Sequence, residues 1–147
     1  MRTLLNSSLA AASALMLAAG PAIAQGDNPN NGGRKVAATL TGTGIVPGGD
    51  PDGAGLFEAR VNPGTERICY TITASSIAAS TGAFLVANAG GNNVLTFDTP
   101  DADDDDSEDC QDIDRSLALE LVQAPENYSV RVDSGSGSIR GQLKKGS

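Results

Sequence analysis

Carboxylates are the side chains of this sequence best placed to do chemistry. The run Asp101-Ala102-Asp103-Asp104-Asp105-Asp106-Ser107-Glu108-Asp109 holds seven acids in nine residues. Calcium, a hard cation, seeks clustered carboxylate oxygens, so Asp101, Asp103, Asp105 and Glu108 are candidate ligands for weak calcium binding. The spacing is not that of an EF-hand. Asp103, Asp105 and Ser107 alternate, but the Gly of the turn and the closing Glu are missing. A solvated, self-repelling loop that keeps a sheet edge unpaired is the preferred reading, with calcium association the alternative. No other cofactor is expected.

Nucleophilic catalysis lacks its usual parts. The chain contains no His, which removes the Ser-His and Cys-His arrangements. Lys144 and Lys145 could serve a Ser-Lys dyad, yet they sit in a C-terminal tail. Carboxylate pairs for glycoside hydrolysis need a cleft and aromatic sugar platforms, and there is no Trp. The chain is read as non-catalytic. Cys69 and Cys110 suit zinc poorly without His, since structural zinc takes four N or S ligands. An even cysteine count in an exported chain favours a disulfide, and its loop of about 40 residues would contribute on the order of 4 kcal/mol.

Export is the reading of the first 24 residues. Arg2 supplies a positive start, Leu9 to Ala19 an uncharged apolar run, and Ala22-Ile23-Ala24 a cleavage site, making Gln25 the mature start. The run falls short of the roughly 20 apolar residues that cross a bilayer, so no membrane insertion is expected after cleavage. A periplasmic or secreted location follows. Residues 25–34 read as a flexible linker rich in Asn and Gly. Ten of the eighteen acids lie between Asp98 and Asp114; elsewhere the mature chain is near neutral. No basic stripe exists to displace phosphate counterions, so nucleic acid is not an expected partner. The partner is unknown, a protein or a cell-envelope component.

Short β-type runs separated by turns must position these residues. Val36 to Thr41 is a first strand, and residues 47–53, rich in Pro and Gly, form a loop. Gly55 to Val61 alternates, with Phe57, Ala59 and Val61 on one face. Arg67 to Thr73 alternates likewise, placing Ile68, Tyr70 and Ile72 together and Cys69, Thr71 and Thr73 opposite. The turn chemistry of Asn62-Pro63-Gly64-Thr65 makes these two a hairpin. Ala83 to Ala89, Asn93 to Phe97, Tyr128 to Val132 and Ser138 to Leu143 are further strands. Leu117 to Val122 fits strand or helix by periodicity, and Ser116 could cap a helix, but Pro125 would close it early, so strand is the preferred reading. The pattern predicts an all-β, antiparallel Ig-like or Greek-key sandwich over residues 35–143, with residues 144–147 as a tail.

Several pieces, taken in order, resemble the CHRD domain, the repeated module of chordin that also occurs singly in bacterial exported proteins. Leu40-Thr41-Gly42 with Val46-Pro47 is similar to the opening of that family, and Ala54-Gly55-Leu56-Phe57 to the start of its second strand. Cys69-Tyr70 and Cys110 resemble the cysteine pair of many bacterial members. Pro125-Glu126-Asn127-Tyr128 followed by Ile139-Arg140-Gly141-Gln142-Leu143 resembles the family's ending. The resemblance implies a binding or structural role and invites one for Arg140-Gly141-Gln142-Leu143. The plain reading of the same residues is a last strand in which Arg140 and Gly141 are structural and Arg140 pairs with a carboxylate. The family's His-x-His pair is replaced by Phe84-Leu85-Val86, and Asp133 stands at a later His position. A His-dependent metal role therefore does not carry over, and the replaced pair is expected to be core.

Overall fold

The structure is a computed structural model that describes residues 32–100 and 106–147. The predicted leader, most of the predicted linker, and Asp101, Asp103 and Asp105 lie outside the described residues. Arg34–Thr41 forms β1, Ala54–Asn62 forms β2 and Arg67–Ser75 forms β3. β2 and β3 pair antiparallel along their whole length, Phe57 opposite Ile72 and Arg60 opposite Cys69. Asn62 shapes their turn by accepting bonds on Oδ1 from the Gly64 and Thr65 amides, at 2.9 and 3.3 Å. The alternation read from the sequence is obeyed: Phe57, Ala59, Val61, Ile68, Tyr70 and Ile72 are buried, while Leu56, Glu58 and Thr73 face out.

Ser80–Ala87 (β4) and Asn93–Phe97 (β5) form a second hairpin. The acidic tract then departs from expectation. Asp106–Asp112 is a strand, β6, paired to β3 in a register that sets Cys69 opposite Cys110. The two are joined as a disulfide. The C-terminal half of the tract is thus itself an edge of the sheet, not a loop beside an unpaired one. Its charge gives that edge the protection that charged side chains give exposed strands.

Residues 117–122 are also corrected. Arg115–Gln123 is a helix, α1, with Asp114 at its N-cap position. Leu117, Ala118, Leu121 and Val122 recur at helical spacing, and the buried pair Ala118 and Leu121 packs on β1 and β2. Arg115 Nη1 donates to the Pro63 carbonyl at 3.0 Å, tying the helix start to the first hairpin. Pro125 does end the helix, but only after nine residues, and opens a 3-10 turn over Pro125–Asn127.

Tyr128–Ser134 (β7) and Gly137–Gln142 (β8) form the last hairpin, and Lys144–Lys145 forms β9. The predicted tail is therefore part of the sheet: Lys144 and Lys145 pair with Ala37 and Val36, and the Gly146 amide donates to Lys35 at 2.9 Å. β8 and β9 run along β1 in one common register.

The expected antiparallel all-β architecture is present as one sheet, ordered β5-β4-β7-β8-β1-β2-β3-β6, with β9 on β1. It curls into a half-barrel whose halves take the place of two sandwich layers. The halves stay hydrogen-bonded because β8 comes very close to β1. A Cβ on Gly141 would lie 2.0 Å from the Thr39 carbonyl oxygen, and one on Gly42 would lie 1.7 Å from that of Asp50. Only glycine fits at either point. Inside the curl, Phe97 of β5 meets Tyr70 and Phe57 of the opposite half, with ring centroids 4.5 and 5.2 Å apart. Gln111 Nε2 of β6 reaches the Thr96 carbonyl of β5 at 3.1 Å, bridging the two free edges. Among the described residues no helix is long and apolar enough to cross a membrane.

Candidate binding face around Arg140

The alternation of β8 buries Ile139 and Gly141 and turns Arg140 and Gln142 to the outer face. Its neighbour β7 sets Arg131 directly opposite Arg140, and β4 sets Phe84 opposite Arg131. Two guanidinium groups thus share one face at adjacent positions, an arrangement that costs stability when nothing offsets it.

Arg131 is offset. Its Nε lies 3.0 Å from Asp133 Oδ1, and its guanidinium carbon sits 5.2 Å from the centre of the Phe84 ring. The contact with Asp133 is an ion pair without hydrogen-bond geometry, and Asp133 Oδ1 accepts its hydrogen bond from the Ser138 hydroxyl at 2.7 Å. Arg140 differs from expectation. Its partner is the amide oxygen of Asn88, 3.0 Å from Nη2, and not a carboxylate. The nearby acid, Asp133, is already taken by Arg131 on its own strand.

Asn88 is held firmly in turn. Its Oδ1 accepts from the Ser129 hydroxyl at 2.6 Å, and its Nδ2 donates to the Glu126 carbonyl at 2.9 Å. Its backbone amide donates to Asn127 at 2.9 Å. Ser129 is only 4% exposed, so the network is rooted in the body of the protein. Gln142 Nε2 joins it through the Glu126 carbonyl at 2.8 Å. Sequence reasoning missed Asn88, because the run Ala83 to Ala89 reads as one strand, whereas β4 ends at Ala87 and leaves Asn88 just beyond it.

Residues 42–50 wall this face. Asp50, 6% exposed, anchors the segment: its Oδ2 accepts from the Ser136 hydroxyl at 2.6 Å, and its backbone bonds Ser138 and Gly53. Ile45, Val46 and Pro47 stand over Arg131, Asp133, Ser138 and Arg140, and the space between is a groove of about 550 Å³. On the other side of Arg140 a shallower hollow is lined by Thr41, Thr43, Asn88, Ser129 and Gln142. Val46 is 90% exposed, an apolar side chain with no cover at the groove rim.

The other singled-out residues lie elsewhere. Glu108 is a backbone position of β6, opposite Thr71 and far along the sheet from Arg140. Among the described residues no group of three or more His, Cys, Asp or Glu could hold a metal ion. Of the replaced pair, Val86 is buried as expected, but Phe84 is not core: it lies half-buried beneath Arg131, with the intervening Leu85 buried.

Both tyrosines are buried and ionise late. Burial raises the Tyr128 phenol to about 12, helped by the hydrogen bond it donates to Glu120 Oε2 and by that carboxylate's charge. Burial likewise raises Tyr70, against the bond its oxygen accepts from the Asp98 amide; the Asp98 and Asp109 charges raise it further. A phenol held above its unfolded value of about 10 contributes stability that is complete below pH 10 and lost as pH climbs through its folded value, about 12 for Tyr128. The chain has two Tyr and no Trp, so tyrosinate absorbance reads these two groups alone. Titration of the folded protein should show both phenols less than half ionised at pH 10, where a free phenol is half ionised, and Tyr128 hardly ionised at all. Half-ionisation of both at pH 10 contradicts the burial described.

Compared with known proteins, the chain matches no family model, no curated protein and no solved structure.

Proposed function

We propose that this chain is an exported, non-catalytic binding module of the CHRD type, and that its binding surface is the outer face around Arg140. The observation that carries the reading is the support given to one half-exposed arginine. A surface Arg with no role normally keeps its rotamer freedom. Here Asn88, Ser129 and the Glu126 carbonyl fix it beside a groove. Locking a recognition group through a second layer of bonds is how binding sites are made selective. The order of motifs from Leu40-Thr41-Gly42 to Arg140-Gly141-Gln142-Leu143 supports the family part of the proposal. The disulfide fits an oxidising compartment and supports the exported part.

The test is co-sedimentation of the purified mature protein with native envelope fractions. The expected result is saturable retention, lost in Arg140→Gln with the fold intact by circular dichroism. Absence of any saturable retention, or retention indifferent to Arg140→Gln, overturns the reading.

A further inference from the structure

Resting on that reading, we infer that the groove between Arg140 and the Ile45-Val46-Pro47 wall binds organic monoanions that carry a carboxylate on a non-polar body. Charge sets the sign of the ligand. Arg131, Arg140 and Asp133 line the groove, leaving one positive charge uncompensated on a chain whose net charge is -8. Arg131 is committed to Asp133 and the Phe84 ring. Arg140 spends one nitrogen on Asn88 and keeps its remaining donors. A guanidinium has five N–H donors in a planar fork, matching the two oxygens of a carboxylate.

One uncompensated charge balances a monoanion; a phosphate dianion would be left in excess, and the acidic remainder of the chain would repel it. An anion held on the Arg140 fork binds only the folded state, so binding should stabilise the fold. The wall sets the rest of the ligand. Val46 is almost fully exposed at the rim, and covering it with alkyl carbon gains about 25 cal/mol per Å² of apolar area removed from water. The anchoring of this segment through Asp50 and Ser136 fixes the wall beforehand, so little ordering cost opposes binding.

The probes are octanoate, acetate and inorganic phosphate, titrated into the isotope-labelled mature protein and followed by NMR at the Arg140 Nε–Hε and the Ile45 and Val46 methyls. Octanoate should give saturable shifts at all three residues and raise Tm, with acetate at least ~10-fold weaker, since each added CH2 strengthens the apolar contact. Arg140→Gln should weaken octanoate at least ~10-fold by removing the fork. Val46→Ser, at a position 90% exposed, should weaken octanoate and leave acetate unchanged, with the fold checked by circular dichroism. No saturable shift up to tens of millimolar octanoate overturns the inference, as does tighter binding of phosphate than of octanoate, or octanoate binding unaffected by both variants. Arg140-dependent envelope retention together with indifference to octanoate removes this ligand class while the binding-module reading survives.

Discussion

Reduction of the Cys69–Cys110 disulfide, or its replacement by two alanines, should destabilise the protein by about 4 kcal/mol. The bond closes a sequence separation of 41 residues, and constraining the unfolded chain over that length accounts for most of the figure. A second contribution comes from the strand it holds. β6, Asp-Ser-Glu-Asp-Cys-Gln-Asp, has no β-branched or aromatic residue and four acids, and Asp is among the residues least suited to strands. Like charges along one edge repel. The strand stays on β3 because the covalent link and the backbone ladder overcome that preference. Denaturant melts of oxidised and reduced protein measure the difference. Hydrogen exchange should show β6 amides losing protection on reduction before those of β1 and β2, and added salt should restore part of it by screening the acids. Equal stability of the two forms contradicts this account of β6.

Gly141→Ala should strongly destabilise the fold at the seam between β8 and β1. The added Cβ would lie 2.0 Å from the Thr39 carbonyl oxygen and 2.7 Å from its carbon. Both are backbone atoms of β1, so no side chain can swing aside. Relief requires β8 to back away from β1 at the point where the two halves of the sheet meet, beside the Thr41–Arg140 bridge. Overpacking of this kind costs about 3 kcal/mol or more, which lowers Tm by roughly 10 °C in a domain of this size. Gly135→Ala is the control, since its Cβ would meet nothing nearer than Ala78 Cβ at 3.8 Å. Equal Tm values for the two variants contradict the close approach.

These two sites show what could be read from the sequence and what could not. The hairpin of β2 and β3 was legible because its apolar residues alternate on both sides of a strong turn. The cysteine pairing was legible from their even number in a chain read as exported. β6 was not, since its residues carry no strand signal; tertiary pairing decides its conformation. α1 was misread because Leu117, Leu119 and Leu121 alternate as a strand would, and a short segment ending at Pro125 offers too few turns to settle the period. The final strand was read as a tail, as two lysines followed by Gly and Ser suggest, although its partner β1 lies a hundred residues earlier. Arg140 and Gly141 stood out through their motif, but their roles depend on backbone separation and on Asn88, which no local pattern reveals.

The binding reading depends on Arg140 being held in place. Nitrogen-15 relaxation of the arginine Nε–Hε groups measures this directly. The Arg140 order parameter should lie near the ~0.85 of rigid backbone, and in Asn88→Ala it should fall below about 0.6, the flexible range. Exposed Arg34 and Arg67 should lie in that lower range in both proteins. An Arg140 as mobile as Arg34 in the wild-type protein, or one unchanged by loss of Asn88, contradicts the account.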